Sequence, residues 1–155
     1  MAAKEDIKRR LVGDWIPAIY REKVRTQRTR AYKLEIPQRE NQAEIFHTLL
    51  GVELKVGKRR FTCPDLATAR FLRVFARIGC THLAVPYDIT RISPLADELE
   101  TSWQRLLLEI EKEESGRSAT RLRSALVTEM RNEIESEGAG EAIPEFRKST
   151  KQSKS

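Results

Sequence analysis

The chain has 155 residues, of which 34% are charged and 39% hydrophobic, and its formal net charge is +6. This length suits one domain with its own core, and the composition is too apolar for a chain that is disordered throughout. No apolar run approaches the roughly 20 residues of a membrane span, and the first ten residues lack the apolar stretch of a secretory signal. We therefore expect a basic, cytoplasmic protein that favours acidic partners, either nucleic acid or an acidic protein.

The N-terminal 30 residues are predicted to form two helices. Residues 4–12 have helical spacing of their apolar side chains, and Gly13 is a suitable stop. Asp14 can cap a second helix over 14–27, because Pro17 still lies in its first turn, where a missing N–H costs little. This part of the chain is expected to be a pair of basic helices.

The pattern then changes from helical to alternating. Residues 32–36 alternate apolar and charged side chains before Pro37, which is typical of a half-buried strand. The next segment, 38–50, is predicted to be a helix because its apolar residues lie at helical spacing: Ala43, Phe46, Leu49 and Leu50.

A β-hairpin is predicted next, with strands at 52–56 and 59–63 joined by Gly57 and Lys58. Glycine in the first position of a two-residue turn is typical of a type II′ hairpin. A helix over 64–78 and a final strand over 81–85 complete this part of the chain.

The predicted order over residues 32–86 is β-α-β-β-α-β. This order resembles the ferredoxin-like fold, in which four antiparallel strands carry two helices on one face. A different α+β sandwich of the same elements is the alternative. Either arrangement places the chain in the α+β class.

Two amphipathic helices are predicted to follow, over 94–114 and 118–136. Ser93 and Pro94 are typical of a helix start, and the leucine spacing in both helices gives each an apolar face. The sequence therefore predicts one domain over 1–136, made of basic N-terminal helices (1–30), an α/β core (31–92) and a helical hairpin (93–136). Residues 137–155 are predicted to be a disordered tail.

Positive charge is concentrated ahead of the hairpin. Residues 1–93 carry 19 Lys and Arg against 10 Asp and Glu, whereas residues 94–114 carry two against seven. The front half contains two arginine stripes at helical spacing and a basic hairpin tip, and arginine suits bidentate phosphate contacts. We predict the following nucleic-acid-binding residues: Arg21, Arg25, Arg28, Lys58, Arg59, Arg60, Arg70, Arg73 and Arg77. The alternative is that these charges are solvated or pair with the acidic helix.

Base stacking is not expected to contribute. A sheet that stacks bases needs aromatic side chains on its open face. The alternation instead places charged residues there, among them Lys33, Glu53 and Lys55. Phosphate contacts are therefore favoured over base readout.

Enzymatic chemistry has little support in the sequence. Glu53-Leu54-Lys55 resembles the Glu-x-Lys half of the PD-(D/E)xK nuclease core, but the aspartate that this family needs upstream is missing from residues 32–52. Cys63, Cys80 and His82 supply too few ligands for a closed zinc site, and no catalytic triad or glycine-rich phosphate loop is present. We expect no cofactor and no metal.

The leading prediction is a small non-enzymatic accessory or regulatory protein that binds DNA or RNA through phosphate contacts. The alternative is a protein–protein adaptor, or a homodimer, that uses the C-terminal helical hairpin. Its predicted partner-binding residues are Leu95, Leu99, Trp103, Leu106, Leu126 and Met130.

Overall fold

The computed structural model describes residues 2–140 and confirms the α+β class and the C-terminal helical hairpin. The helices are α1 (Ala2–Arg10), α2 (Ile16–Ile19, continued by a π-helical turn over Tyr20–Val24), α3 (Leu66–Ile78), α4 (Ile89–Glu113) and α5 (Gly116–Glu137). The strands are β1 (Thr29–Lys33), β2 (Ala43–Thr48), β3 (Gly51–Val56), β4 (Arg59–Cys63) and β5 (His82–Pro86). Each helix in this range is too short or too polar to serve as a transmembrane span. The predicted disordered tail lies, from residue 141 onward, outside the described residues.

The five strands form two antiparallel sheets. Strand β1 pairs with β5, and β2, β3 and β4 pair in sequence as a meander. In the β3–β4 hairpin Val56 faces Arg59, and Gly57 has a φ of +61°, as the predicted glycine-first turn requires. Because the strands divide between two sheets, the single four-stranded sheet of the ferredoxin-like fold is not confirmed.

The prediction of a helix over 38–50 is wrong, because this segment contains strand β2. Three of the four side chains on which the helical pattern rested are exposed: Phe46, Leu49 and Leu50. Burial follows the two-residue period of a strand instead, since half-buried Ile45 packs on the core and pairs with Leu54 of β3. Pairing with a neighbouring strand overrides the local helical spacing here.

Helix α3 lies at the centre of the core. Asp65 accepts a hydrogen bond from the Thr68 amide at its start, and Gly79 ends it with a left-handed φ of +96°. One side of α3 packs on α4, and another packs against β2 and β3. Phe71 and Phe75 on this helix are fully buried. The hydrophobic core thus joins the small sheets to the C-terminal helices.

Helix α4 begins at Ile89, so the prediction that Ser93 and Pro94 open it is wrong. Asp88 caps the helix by accepting a hydrogen bond from the Thr90 amide. Pro94 lies inside the helix, where it removes one backbone N–H donor. The cap at Asp88 therefore sets the start of α4, and the helix continues through Pro94.

The apolar stripe of the helical hairpin faces the protein's own core. All six residues predicted to bind a partner are buried: Leu95, Leu99, Trp103, Leu106, Leu126 and Met130. The stripe packs against the rest of the chain, because α4 contacts α1, α2, α3 and β5. As a correction to the sequence analysis, these side chains stabilise the fold and form no exposed partner surface in this structure.

Candidate functional site

The first predicted arginine stripe does not form. The helix that carries Arg21 and Arg25 was predicted to continue to residue 27, but the π-helical turn ends at Val24, and Arg28 lies beyond it. A π-helical turn also contains more residues than an α-helical turn, which rotates successive side chains out of line. The three arginines therefore point into different surroundings.

Arg25 has a structural role at the end of α5. Its Nη1 donates to the carbonyl oxygen of Gly140 at 2.6 Å, and its Nε donates to that of Glu137 at 3.2 Å. Glu137 is the last residue of α5, whose final carbonyls lack partners within the helix, and Gly140 lies just beyond it. Arg21 lies nearby, at 3.9 Å from Glu137. Arg25 thus stabilises the C-terminal end of the helical hairpin.

The second stripe, on α3, faces the acidic helix α4. Arg70 donates to Glu100 from both Nε and Nη2, at 3.1 and 2.8 Å, and also pairs with Asp97. Arg73 shares Glu100 at 2.9 Å. The hydrogen bonds from Arg70 and Arg73 lower the pKa of Glu100, against the opposing effect of burial. Arg70 and Arg73 therefore join two helices, and Arg77 is the member of this stripe that has no carboxylate partner within residues 2–140.

Helix α4 also binds cations from the N-terminal segment. Arg10 donates to Glu109 at 2.8 Å and to Glu113 at 3.0 Å, and Lys23 binds Glu98 at 2.8 Å. Hydrogen bonding to Arg10 lowers the pKa of Glu109. The acidic helix is therefore an internal counter-ion for much of the basic front half.

Arg60 lies on the outer face of the three-stranded sheet. It pairs with Glu53 at 3.1 Å, and its guanidinium carbon lies 6.0 Å from the ring centre of Phe46. Its strand neighbour Arg59 points to the opposite face, since successive side chains of a strand alternate. Arg60 is thus separated from the other basic residues of the hairpin tip.

Four cations from three chain segments meet in one open cleft of about 1150 Å³, which we call the basic cleft. Lys33 comes from the end of β1, Arg39 from the β1–β2 connection, and Lys58 and Arg59 from the β3–β4 hairpin tip. Within residues 2–140, no carboxylate lies within 4 Å of the charged nitrogens of Lys33, Arg39 or Lys58. Arg59 approaches Glu35 at 3.5 Å, and both side chains are largely exposed. These cations are therefore available to an anionic ligand.

Hydrogen bonds from Asn41 to the C-terminal part of α3 fix the backbone around Arg39. The side-chain amide of Asn41 donates to the carbonyl oxygens of Arg39 and Ala76 at 2.9 and 3.2 Å, and its backbone N–H donates to that of Arg77 at 3.0 Å. Gly79 lies so close to the Arg39 backbone that a Cβ would clash with it. The side chain of Arg39 is exposed, but its position along the rim of the cleft is set by buried contacts.

A second basic feature, which we call the arginine–tyrosine ladder, consists of Arg28, Arg30, Tyr32 and Tyr87, and two of these residues lie on β1. Arg28 lies 4.8 Å from the ring centre of Tyr87, and Arg30 lies 5.0 Å from that of Tyr32. Nη2 of Arg30 also donates to the Tyr32 hydroxyl at 2.9 Å. Such cation–π contacts hold guanidinium groups in place without neutralising them. Arg28 thus lies just before β1 and Arg30 within it, whereas Lys33, three residues after Arg30, points to the opposite face of the strand.

Two carboxylates lower the positive charge of the basic cleft. Glu35 lies beside Arg59, and Glu135 of α5 accepts hydrogen bonds from the amide of Thr81 at 3.0 Å and from Gln38 at 3.2 Å. These donors are uncharged, so they do not offset the charge of the Glu135 carboxylate at the α5 side of the cleft. Cations still outnumber carboxylates by four to two among the lining residues.

Of the nine predicted nucleic-acid-binding residues, Lys58 and Arg59 line the basic cleft, and Arg28 belongs to the arginine–tyrosine ladder. Arg30, Lys33 and Arg39 were not predicted as site residues. In the sequence, nothing distinguishes Lys33 from the other charged residues of an alternating strand. Arg39 lies in a segment that the sequence pattern predicts to be helical. Arg30, Lys33 and Arg39 share the feature that no carboxylate of residues 2–140 pairs with them, and this depends on long-range packing.

The two cysteines are separate, buried thiols. Burial raises the pKa of Cys63 to about 11, and burial also raises that of Cys80. Both thiols are therefore protonated near neutral pH and unreactive. Within residues 2–140, no three His, Cys, Asp or Glu side chains are grouped so that they could hold a metal ion.

Comparison with known proteins gives no assignment: the chain matches no protein-family model, no curated protein and no solved structure.

Proposed function

We propose that this protein is a non-enzymatic accessory or regulatory protein that binds nucleic acid through phosphate contacts. The observation that carries the proposal is the basic cleft, together with the arginine–tyrosine ladder on β1. Most other cations of the front half form ion pairs within the protein, whereas among the described residues Arg59 is the one cation of the cleft and ladder that does so, with the exposed Glu35. Cations from separate chain segments that converge on one exposed cleft, as Lys33, Arg39, Lys58 and Arg59 do, are typical of a phosphate-binding site.

The geometry favours the nucleic-acid backbone over the bases. The rings of Tyr32 and Tyr87 already carry arginines, so a base could stack on them only by displacing a guanidinium group. The outer face of the three-stranded sheet offers Phe46, but Glu53 lies in the same row of the sheet and would repel phosphates. Strand β1 is about 17 Å long, which spans the phosphates of several nucleotides. We therefore propose binding with little sequence preference.

The experiment is a salt titration of binding to duplex DNA and to RNA between about 50 and 200 mM salt. The double variant K58Q/R59Q is expected to weaken binding roughly tenfold at low salt and to reduce the slope of log K against log salt by about 2. The matched control is R117Q/R121Q, which removes the same charge from exposed positions on α5 that make no ion pair within residues 2–140. The control is expected to keep the wild-type slope.

Two results would contradict the proposal. One is that the wild-type protein, at micromolar concentration and low salt, binds neither nucleic acid. The other is that both double variants lose the same affinity, because then net charge alone would account for binding, and the cleft would have no special part in it.

A second candidate function, a protein–protein adaptor, has one observation in its favour. Leu49 and Leu50, at the tip of the β2–β3 hairpin, are 105% and 93% exposed. Two adjacent leucines in full contact with water favour contact with a partner or with a second copy of the chain. Sedimentation velocity over the micromolar range tests the second form: a monomer at every concentration would rule out self-association.

A further inference from the structure

Arg77 is the one arginine of the α3 stripe that makes no ion pair in the described part of the chain. Its side chain is half-buried, and within residues 2–140 no carboxylate oxygen lies within 4 Å of its guanidinium group. Its hydrogen bond is a long one, from Nη2 to the carbonyl oxygen of Ala43 at 3.4 Å. Removing a charge from water without pairing it is unfavourable, so this position is unusual in a stable fold.

The neighbouring charges add to this imbalance. Arg73 lies one turn before Arg77, and its Nε is buried without a hydrogen-bond partner. Arg70 and Arg73 already occupy Glu100, and Arg70 also takes Asp97. Burial lowers the pKa of Arg77, and the positive charge of Arg73 lowers it further. Asp97 and Glu100 thus pair with Arg70 and Arg73, while Arg77 feels carboxylates only at a distance within the described residues.

Arg77 opens into a cleft of about 530 Å³, which we call the Arg77 cleft. A volume of this size accommodates a small organic molecule. Trp103 and Arg123 also line this cleft, and the guanidinium carbon of Arg123 lies 5.9 Å from the centre of the indole ring. Arg123 is bound by Glu40 at 2.8 and 2.9 Å, so these two charges offset each other. Arg77 is therefore the cation that the cleft leaves open to a ligand.

We propose that the Arg77 cleft binds the oxyanion group, a phosphate or a carboxylate, of a small molecule. The guanidinium of Arg77 donates hydrogen bonds to the oxyanion, and the indole of Trp103 forms an apolar wall beside it. The site is distinct from the basic cleft, with which it shares only Asn41 as a lining residue. It does not depend on nucleic-acid binding.

Glu44 provides a sharp test because it also lines the cleft. Its charge acts on Arg77 and favours the protonated guanidinium, so it also opposes an incoming anion. Replacing Glu44 with Gln removes this repulsion and leaves Arg77 in place. The variant is therefore expected to bind an oxyanion more tightly, by roughly three- to tenfold.

The experiment measures the melting temperature of the intact chain against increasing inorganic phosphate, and separately acetate, with chloride holding the ionic strength constant. In wild type, at least one anion is expected to raise the melting temperature in a concentration-dependent way. Arg77→Gln is expected to lose this increment and Glu44→Gln to reach it at lower concentration, while Arg117→Gln keeps the wild-type response. A response to phosphate alone, or to acetate alone, identifies which oxyanion the cleft takes.

The proposal is overturned if neither anion raises the wild-type melting temperature beyond chloride, or if Arg77→Gln responds as wild type does. General salting-out by phosphate stabilises both proteins equally, so the difference between them isolates the site. If Arg77→Gln does not fold, Glu44→Gln decides the question, because a response no stronger than wild type contradicts the proposal. Loss of nucleic-acid binding in the basic-cleft variants would leave this result unchanged.

Discussion

Replacing Gly79 with alanine is expected to destabilise the fold by about 3 kcal/mol or more. Gly79 has a φ of +96°, which an L residue adopts only with strain. An added Cβ would also lie 2.6 Å from the backbone nitrogen of Arg39 and 2.8 Å from its carbonyl carbon. Backbone atoms cannot move aside as a flexible side chain can, so both effects act together. Urea denaturation followed by circular dichroism measures the change.

Gly13→Ala is the matched control for this prediction. Gly13 has a similar φ of +89°, but an added Cβ there meets nothing within 4 Å. We expect a cost of about 1 kcal/mol from backbone strain alone. Equal destabilisation by the two substitutions would show that the close approach of Gly79 to Arg39 contributes nothing to stability. It would also contradict the view that this contact with the end of α3 positions Arg39 at the rim of the basic cleft.

Replacing Trp103 with alanine is expected to lower the free energy of unfolding by about 3–5 kcal/mol. Its side chain is 3% exposed and packs within the core of the helical hairpin. Removing it leaves a cavity that the surrounding helices can fill only in part. Leu108→Ala, on the same helix, is the control, because Leu108 is 55% exposed and its loss is expected to cost less than about 1 kcal/mol.

This pair of variants also separates a core role from a partner-binding role. If Trp103 bound a partner or a second copy of the chain, its removal would change the sedimentation coefficient and leave the urea midpoint nearly unchanged. We expect the reverse, with a large shift of the midpoint and no change of oligomeric state in the folded protein.

Local signals were sufficient to predict much of the fold. The β3–β4 hairpin follows from Gly57, whose positive φ only glycine adopts without strain, and α3 follows from the Asp65 cap and the apolar face behind it. The helical hairpin of α4 and α5 follows from four-residue leucine spacing. In each case the determining residues lie within a few positions of one another, so one segment of sequence contains the whole signal.

The errors arise where distant contacts outweigh the local pattern. Residues 43–48 form a strand because they pair with β3, and their exposed Phe46 fitted a helix equally well in the sequence. The start of α4 is a different case, because two local signals compete: Ser93 and Pro94 suit a helix start, but the cap at Asp88 decides where α4 begins. A single sequence does not show which of two compatible patterns tertiary packing will select.

The candidate site was less predictable than the fold. The arginine stripe of α3 was correctly placed on a helix, but its carboxylate partners lie about 30 residues away on α4. Arg10 donates a hydrogen bond to Glu109, which lies 99 positions further along the chain. Which cations remain unpaired is therefore a property of the folded protein, and this is why Lys33 and Arg39 were missed.

The central claim is that the basic cleft and β1 bind nucleic acid, and an NMR titration of the amide spectrum with a 12-nucleotide oligonucleotide, of DNA and of RNA, tests it most directly. At low salt, we predict shift changes concentrated at residues 28–33, at Arg39 and at residues 57–60, and we predict that they disappear as salt is raised. Changes confined to α5, or an unchanged spectrum at low salt, would contradict the account.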